Sequence, residues 1–317
     1  MSGPVFFGDK SREGRMKLDR RHLLRLAGAT AVAAAAGPAS AVTPAFAPAI
    51  GVQLYMLRDL LAKDVEGTLA AIARIGIRFV EFAGYHDRTP AQWRALLTAN
   101  GLIAIGAHGL YPDMRDEQAA AAIDAAAAIG LEWVVAAVPR LPGLTLPITE
   151  EKFRAATQRI TADDIKAAAA RFNRFGEMAK AAGMRFAYHN HGFDFRRYDG
   201  RYGLDLILAE TDPALVGLEL DIGNTIAAGA DPLPYLAPGG RVRLAHVKDW
   251  RGPYTPSLYE IPASAPVGEG TIAWPPILAA LKRARVPYVF IEQEGINQAD
   301  ALDLLARNWR YLQGEGK

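Results

Sequence analysis

The stretch "FAYHNHGFDF", residues 186–195, closes an apolar run on two histidines and an asparagine. Residues two apart in a strand point to one side, so a strand regular through 191 would aim His189 and His191 the same way. Seven other apolar runs accompany it, and all but the fourth in chain order carry a polar group at or near the finish: "AIGVQLYML" (49–57), "IRFVEF" (77–82), "LIAIGAH" (102–108), "LEWVVAAV" (131–138), "LVGLELD" (215–221), "VRLAHVKD" (242–249) and "PYVFIEQE" (287–294). Their density in Val, Ile, Phe and Tyr is that of strands buried on both faces.

Helical patterns separate the runs. "VEGTLAAIARIG" stops at Gly76, and "TPAQWRALLTANG" starts on Thr89 as N-cap with Pro90 in the first helical position. "DEQAAAAIDAAAAIG", "TADDIKAAAARFNRFGEMAKAAG" and "WPPILAALKRAR" follow the same logic. Eight strands alternating with helices predict an α/β fold, a single (β/α)8 TIM barrel, over residues 42–317. A doubly wound sheet usually has fewer strands, and no Gly-rich phosphate loop follows the first run. Long fourth (139–160) and seventh (250–272) loops would both lie on the catalytic face of such a barrel.

In that fold the polar run ends converge on one mouth. They are Gln53, Tyr55 and Arg58; Glu81 and then His86; His108; His189, Asn190 and His191; Asp221 and Asn224; His246, Lys248 and Asp249; Glu292 and Glu294. Buried carboxylates and imidazoles at this density need pairing or a bound cation. The chain has no cysteine, which leaves His, Asp, Glu and water as metal ligands and excludes disulfides and a thiol nucleophile. Each residue also has a plainer reading. Asp221 can cap the following turn, His246 can be a core histidine, and Glu292 can pair with Arg58 or Lys248. Tyr55, Tyr85 and Trp250 can be sugar-stacking walls or packing.

The N-terminus reads as a leader. Residues 1–41 place Arg20-Arg21 before an apolar stretch and end in Ala39-Ser40-Ala41, the order of a cleaved twin-arginine signal peptide, with Met16 as an alternative start. This predicts an exported, periplasmic protein that meets the twin-arginine export machinery. The leader holds seven Lys/Arg against three Asp/Glu, a surplus larger than the whole chain's +2, so the body is near neutral and slightly acidic. Nothing in that balance favours nucleic acid. No other run reaches about 18 apolar residues, so no stable membrane anchor is expected.

At the strand ends the chain resembles the xylose isomerase-like barrels, the sugar phosphate isomerase/epimerase superfamily. The resemblance covers about residues 49–315. It rests on "GVQLYMLRD", "YHNHGFDF", "LELDIGNTIAAGADP", "RLAHVKDW", "PVGEGTIAWPPIL" and "YVFIEQE" in that order. It implies one divalent metal (Mn, Mg, Co or Zn) held by residues of the last four strands: His189, Asp221, His246 and Glu292. It implies that His191 faces the substrate and that Asn224 is a polar substrate contact. With the run ends read together, and Lys248 sharing the period of His246, the candidate catalytic residues are Glu292, His191 and Lys248 and the candidate substrate contacts Gln53, Tyr55, Arg58, Glu81, His108, Asn190 and Asn224. His189 stands where relatives often carry glutamate. A metal-bound ring nitrogen cannot also accept a proton, so a mechanism with two facing glutamates does not carry over.

The resemblance implies a sugar or keto-sugar isomerase or epimerase working through an enediolate, as a possible homo-oligomer, and the export signal points to a non-phosphorylated substrate, since phosphorylated sugars are mainly intracellular. A metal-dependent lyase or hydrolase of a keto-glycoside is the alternative, and a non-catalytic sugar-binding barrel a third.

Overall fold

The computed structural model describes residues 48–139, 141–143 and 150–314. The leader reading therefore lies outside the described residues, as does part of the fourth loop.

Eight parallel strands close into a barrel: β1 (Ala49–Gln53), β2 (Phe79–Phe82), β3 (Ile103–Leu110), β4 (Trp133–Ala136), β5 (Arg185–His189), β6 (Val216–Asp221), β7 (Val242–Val247) and β8 (Tyr288–Ile291). Each is hydrogen-bonded to its neighbours in sequence, and β8 closes on β1. The connections carry helices α1 (Arg58–Lys63), α2 (Val65–Ile75), α3 (Pro90–Asn100), α4 (Asp116–Ile129), α5 (Glu150–Gln158), α6 (Ala162–Ala181), α7 (Gly203–Glu210), α8 (Ile222–Ala227), α9 (Trp274–Ala284) and α10 (Ala301–Leu312). None of them is long and apolar enough to cross a membrane.

The local signals act as their chemistry requires. Thr89 accepts the Gln92 amide while the Gln92 side chain returns to the Thr89 amide, so α3 starts on a closed capping box. Gly76 ends α2 at φ +102°, a backbone conformation that a Cβ disfavours. Inside the barrel, Gly51 leaves room for Phe290: a Cβ there would meet the Phe79 carbonyl at 2.6 Å and the Phe290 ring at 2.8 Å.

Several strands are shorter than the apolar runs that announce them. The first run leaves the sheet after Gln53 and coils into a 3-10 turn, Leu54–Leu57, because Gln53 accepts the Tyr55 amide. β5 stops at His189, and Gly192–Phe195 forms another 3-10 turn. Two strand-like periods therefore do not relate His189 to His191. β7 stops at Val247, and Asp249–Trp250 turns away to pair antiparallel with Ser264–Ala265 in the seventh loop.

Candidate active site

Parallel register builds the site. It sets Gln53 beside Glu81, His189 beside Glu219 and Asp221 beside His246. Alternation within each strand then turns these side chains into the barrel, above an apolar layer that includes Ile105, Trp133, Leu244 and Phe290.

The polar layer is linked throughout. His246 contacts Glu292 through Nδ1 at 3.1 Å and Glu81 through Nε2 at 2.8 Å. Gln53 donates to the same Glu81 oxygen at 2.8 Å. His108 Nε2 lies 2.7 Å from Glu219 Oε2, and His189 Nδ1 lies 3.0 Å from it. Lys248 is fully buried, with Nζ 2.8 Å from Asp221, 2.6 Å from Glu292 and 3.4 Å from Glu294. Gly223 makes its place: a Cβ there would stand 2.1 Å from Lys248 Cγ.

His189, Asp221, His246 and Glu292 each offer a donor atom, all within 4.8 Å of one another. A second set, His108, His189, Glu219 and His246, meets the same limit and shares two members with the first. The donors are imidazole and carboxylate, the set that a borderline divalent ion takes. Glu81 Oε1, Glu219 Oε1 and Glu294 Oε2 are buried and without a hydrogen-bond partner. Five carboxylates (Glu81, Glu219, Asp221, Glu292 and Glu294) thus converge on one ammonium and three imidazoles. By charge and by donor type these residues fit a divalent cation.

The titrations follow that charge balance. Burial opposes a charged imidazole, but the Glu81 and Glu219 carboxylates raise His108 to about 10. Burial likewise opposes charge on His246, which Glu219 and then Glu292 and Glu81 lift well above its ordinary value. Burial and the neighbouring His246 hold His189 well below the usual histidine range, so it is a neutral donor. Against the cost of burial, Lys248 and His246 hold Glu292 well below the usual carboxylate range. Burial, and then the Lys248 charge, lower His191 to about 3.

The remaining expected residues divide. A cup of about 260 Å3 opens above the cluster, lined by Tyr55, His108, Tyr111, His189, His191, Glu292 and Glu294. Asn224 is 4 % exposed and donates to Asp221 Oδ2 at 2.9 Å. Asn190 does not reach the cup. It is fully buried, accepting the Asp221 amide at 2.9 Å and donating to Thr225, so it fixes β6 against β5. Arg58 lies over the Tyr55 ring at 4.6 Å and donates to the Tyr55 carbonyl, on the rim. Gln53 and Glu81 are fully buried beneath the cup.

Asp221 is both a cap and a member of the cluster: one oxygen accepts the Asn224 amide at 2.8 Å, and the other faces Lys248. Trp250 is packing, fully buried with its indole N–H on the Gly223 carbonyl, and Tyr85 packs edge-on against Phe82. Asp249 accepts the Trp250, Gly268, Gly270 and Ile272 amides and the Trp274 indole, which makes it the anchor of the seventh loop. His86 lies apart, in a cleft with Lys63, Glu66 and Arg88.

Glu219 is the central residue that reading the run ends passes over. It stands inside "LELD" rather than at its finish, and the signal for it is its spacing of two from Asp221. Asp194 is a second such residue. It accepts the Tyr188 hydroxyl at 2.8 Å and the His191 amide at 2.7 Å, which shapes the turn that carries His191.

Known proteins share this architecture. Over 107 residues the chain is 33 % identical to inosose dehydratase from Clostridium tetani, a span of 33 % of this chain and 33 % of that relative. A sugar phosphate isomerase/epimerase structure from Parabacteroides distasonis superposes with a TM-score of 0.65 at 24 % identity, covering 89 % of this chain and 99 % of that one. The structure of IOLI protein with a bound zinc atom superposes with a TM-score of 0.59 at 14 % identity, covering 83 % and 97 %. Residues 69–312, most of the barrel, match one family description, and with the closed eight-stranded sheet this makes the chain a member of the xylose isomerase-like TIM barrels.

Proposed function

We propose that this protein is a divalent-metal-dependent enzyme that removes a proton next to the carbonyl of a non-phosphorylated sugar or cyclitol ketone. The observation that carries this reading is the meeting of His189, Asp221, His246 and Glu292 within 4.8 Å beneath an open cup. These four residues would hold the metal; the zinc atom of IOLI protein supports such a site on this fold. When bound, the metal supplies Lewis-acid polarisation of the ketone and stabilises the negative charge that develops there.

The chain's own residues do the rest. Glu292 lines the cup as a carboxylate that Lys248 and His246 keep charged, and in this reading it is the proton acceptor. Lys248 holds a proton beside it, 2.6 Å away. His191, neutral at the cup wall, is placed to bond a substrate hydroxyl. The cup volume, below the roughly 300–1,000 Å3 of drug-sized sites, suits one small ring.

The enediolate has two exits. Reprotonation on carbon gives isomerisation or epimerisation. Loss of the group on the next carbon gives elimination: the α-proton and that group depart, and a double bond forms between the two carbons. The inosose dehydratase similarity favours this second exit. The test is solvent deuterium uptake by ketoses, inososes and 3-keto-glycosides after loading with Mn, Mg, Co or Zn. Uptake with retained absorbance identifies reprotonation, a rising enone absorbance identifies elimination, and neither with any substrate overturns the proposal.

The leader supports a periplasmic location, and cell fractionation of an Arg20→Lys, Arg21→Lys variant tests it by retention in the cytoplasm.

A further inference from the structure

A second opening lies beside the cup, and His191 lines both. The second is a cavity of about 80 Å3 between α5 and the seventh loop, and its walls differ in kind. Phe193 is stacked on His191, with ring centroids 5.3 Å apart and planes 7° from parallel. Phe153 on α5 meets Phe193 edge-on at 6.1 Å and 65°. Leu258 and Ile261 of the seventh loop add apolar surface, and Thr157, Asn224 and Ser257 are polar residues of the same lining. The cationic and acidic side chains there, Arg154 and Glu260, pair with each other at 2.5 Å and tie α5 to the loop, which leaves the interior mostly apolar.

Two observations point to a ligand that spans both openings. His191 Nδ1 is buried without a hydrogen-bond partner at their junction. The mouth also leaves large apolar side chains in water: Tyr55 (44 %) and Tyr111 (47 %) at the cup, and Ile261 (53 %) at the second cavity. A free sugar or cyclitol would occupy the cup alone and leave the stacked wall uncovered.

We propose that the second cavity is an aglycone subsite, and that the substrate class is a keto-glycoside bearing a flat apolar aglycone. This inference rests on the enolisation reading above and extends it. With the oxidised ring in the cup, the group that leaves on elimination lies across His191 against Phe193 and Phe153. For a 3-keto-glycoside the balance is simple. The C2 proton is removed, a C1=C2 double bond forms, the C1–O bond breaks with its electron pair on the aglycone oxygen, and that oxygen takes up one proton. The products are an enone and a phenol or alcohol, with no oxidant or reductant consumed. Flat apolar groups suit the subsite because an aromatic wall offers stacking as well as area.

The test is equilibrium binding, which does not require turnover. Both anomers of p-nitrophenyl glucoside and methyl glucoside, and p-nitrophenol alone, are titrated into the metal-loaded full chain. One p-nitrophenyl anomer should bind at least about tenfold more tightly than its methyl counterpart, roughly 1.4 kcal/mol. Phe153→Ala and the exposed-site variant Ile261→Ser should each remove most of that advantage and leave methyl glucoside unchanged. Equal binding of the two glucosides by the wild type, an advantage that survives both substitutions, or no binding at all overturns the subsite. Failure of the enolisation reading shows separately, as neither solvent deuterium uptake by methyl 3-keto-glucoside nor a rising enone absorbance, and leaves the binding comparison standing.

Discussion

Two layers inside one barrel are two residues apart and opposite in chemistry. On β5 the step is Ala187 to His189, on β7 Leu244 to His246, and from β8 Phe290 to Glu292. On β1 it runs from Gly51 to Gln53, and on β6 from Gly217 to Glu219 and Asp221. The lower layer fills the barrel as a hydrophobic plug. The upper layer, equally shielded from water, collects carboxylates, imidazoles and an ammonium. One strand geometry serves both, so the barrel's stability and its chemistry are separable by a single step along the chain.

Substitutions can break that separation. The largest effect is expected in the upper layer. Glu292→Gln should lower deuterium exchange about 10³- to 10⁴-fold, since it removes the base and a charged donor together. Its denaturation midpoint should change little, and a variant that exchanges at wild-type rate would move the base elsewhere. Phe290→Ala in the layer below should do the reverse. It should cost about 3–4 kcal/mol of unfolding free energy through the cavity it leaves, while exchange per folded molecule stays within a few-fold. A large loss of exchange at full folding would show that the two layers are coupled.

Glu219→Gln tests the boundary between them. The carboxylate bonds His108 and His189 without belonging to the His189, Asp221, His246 and Glu292 set. Metal affinity, followed by competition with a chelator, should fall about 10- to 100-fold, the usual cost of losing an orienting partner. Complete loss of metal would instead favour the second donor set, His108, His189, Glu219 and His246. Thr89→Ala, outside both layers, should cost only about 1 kcal/mol through its helix cap and leave exchange untouched.

The barrel was legible because buried parallel strands read as apolar runs and the caps between them are chemical. Thr89, Pro90 and Gly76 each stand where a helix must start or stop. His189, Asp221, His246 and Glu292 were legible because a charged or imidazole group at the finish of such a run is conspicuous. Glu219 was hidden by the leucines on either side of it, although alternation puts it on the same face as Asp221. The placement of His191 was not legible at all. It depends on β5 ending at His189 and on a turn drawn in by Asp194, with Gly192 so close to the Leu258 carbonyl that a Cβ would approach it to 2.9 Å. Trp250 was ambiguous for a similar reason, since burial under a loop is a long-range fact.

The missing side chain at Gly223 has a consequence for how this site can change. Lys248 keeps its ammonium between Asp221 and Glu292 only because nothing projects from residue 223. A single methyl group there would meet the lysine stem and the backbone of residue 248 together, leaving the stem nowhere to retreat along its present path. Position 223 therefore acts as a steric dial on the charge beneath the cup: one carbon atom, added outside the cluster, would alter its electrostatics without replacing any of its ionisable groups.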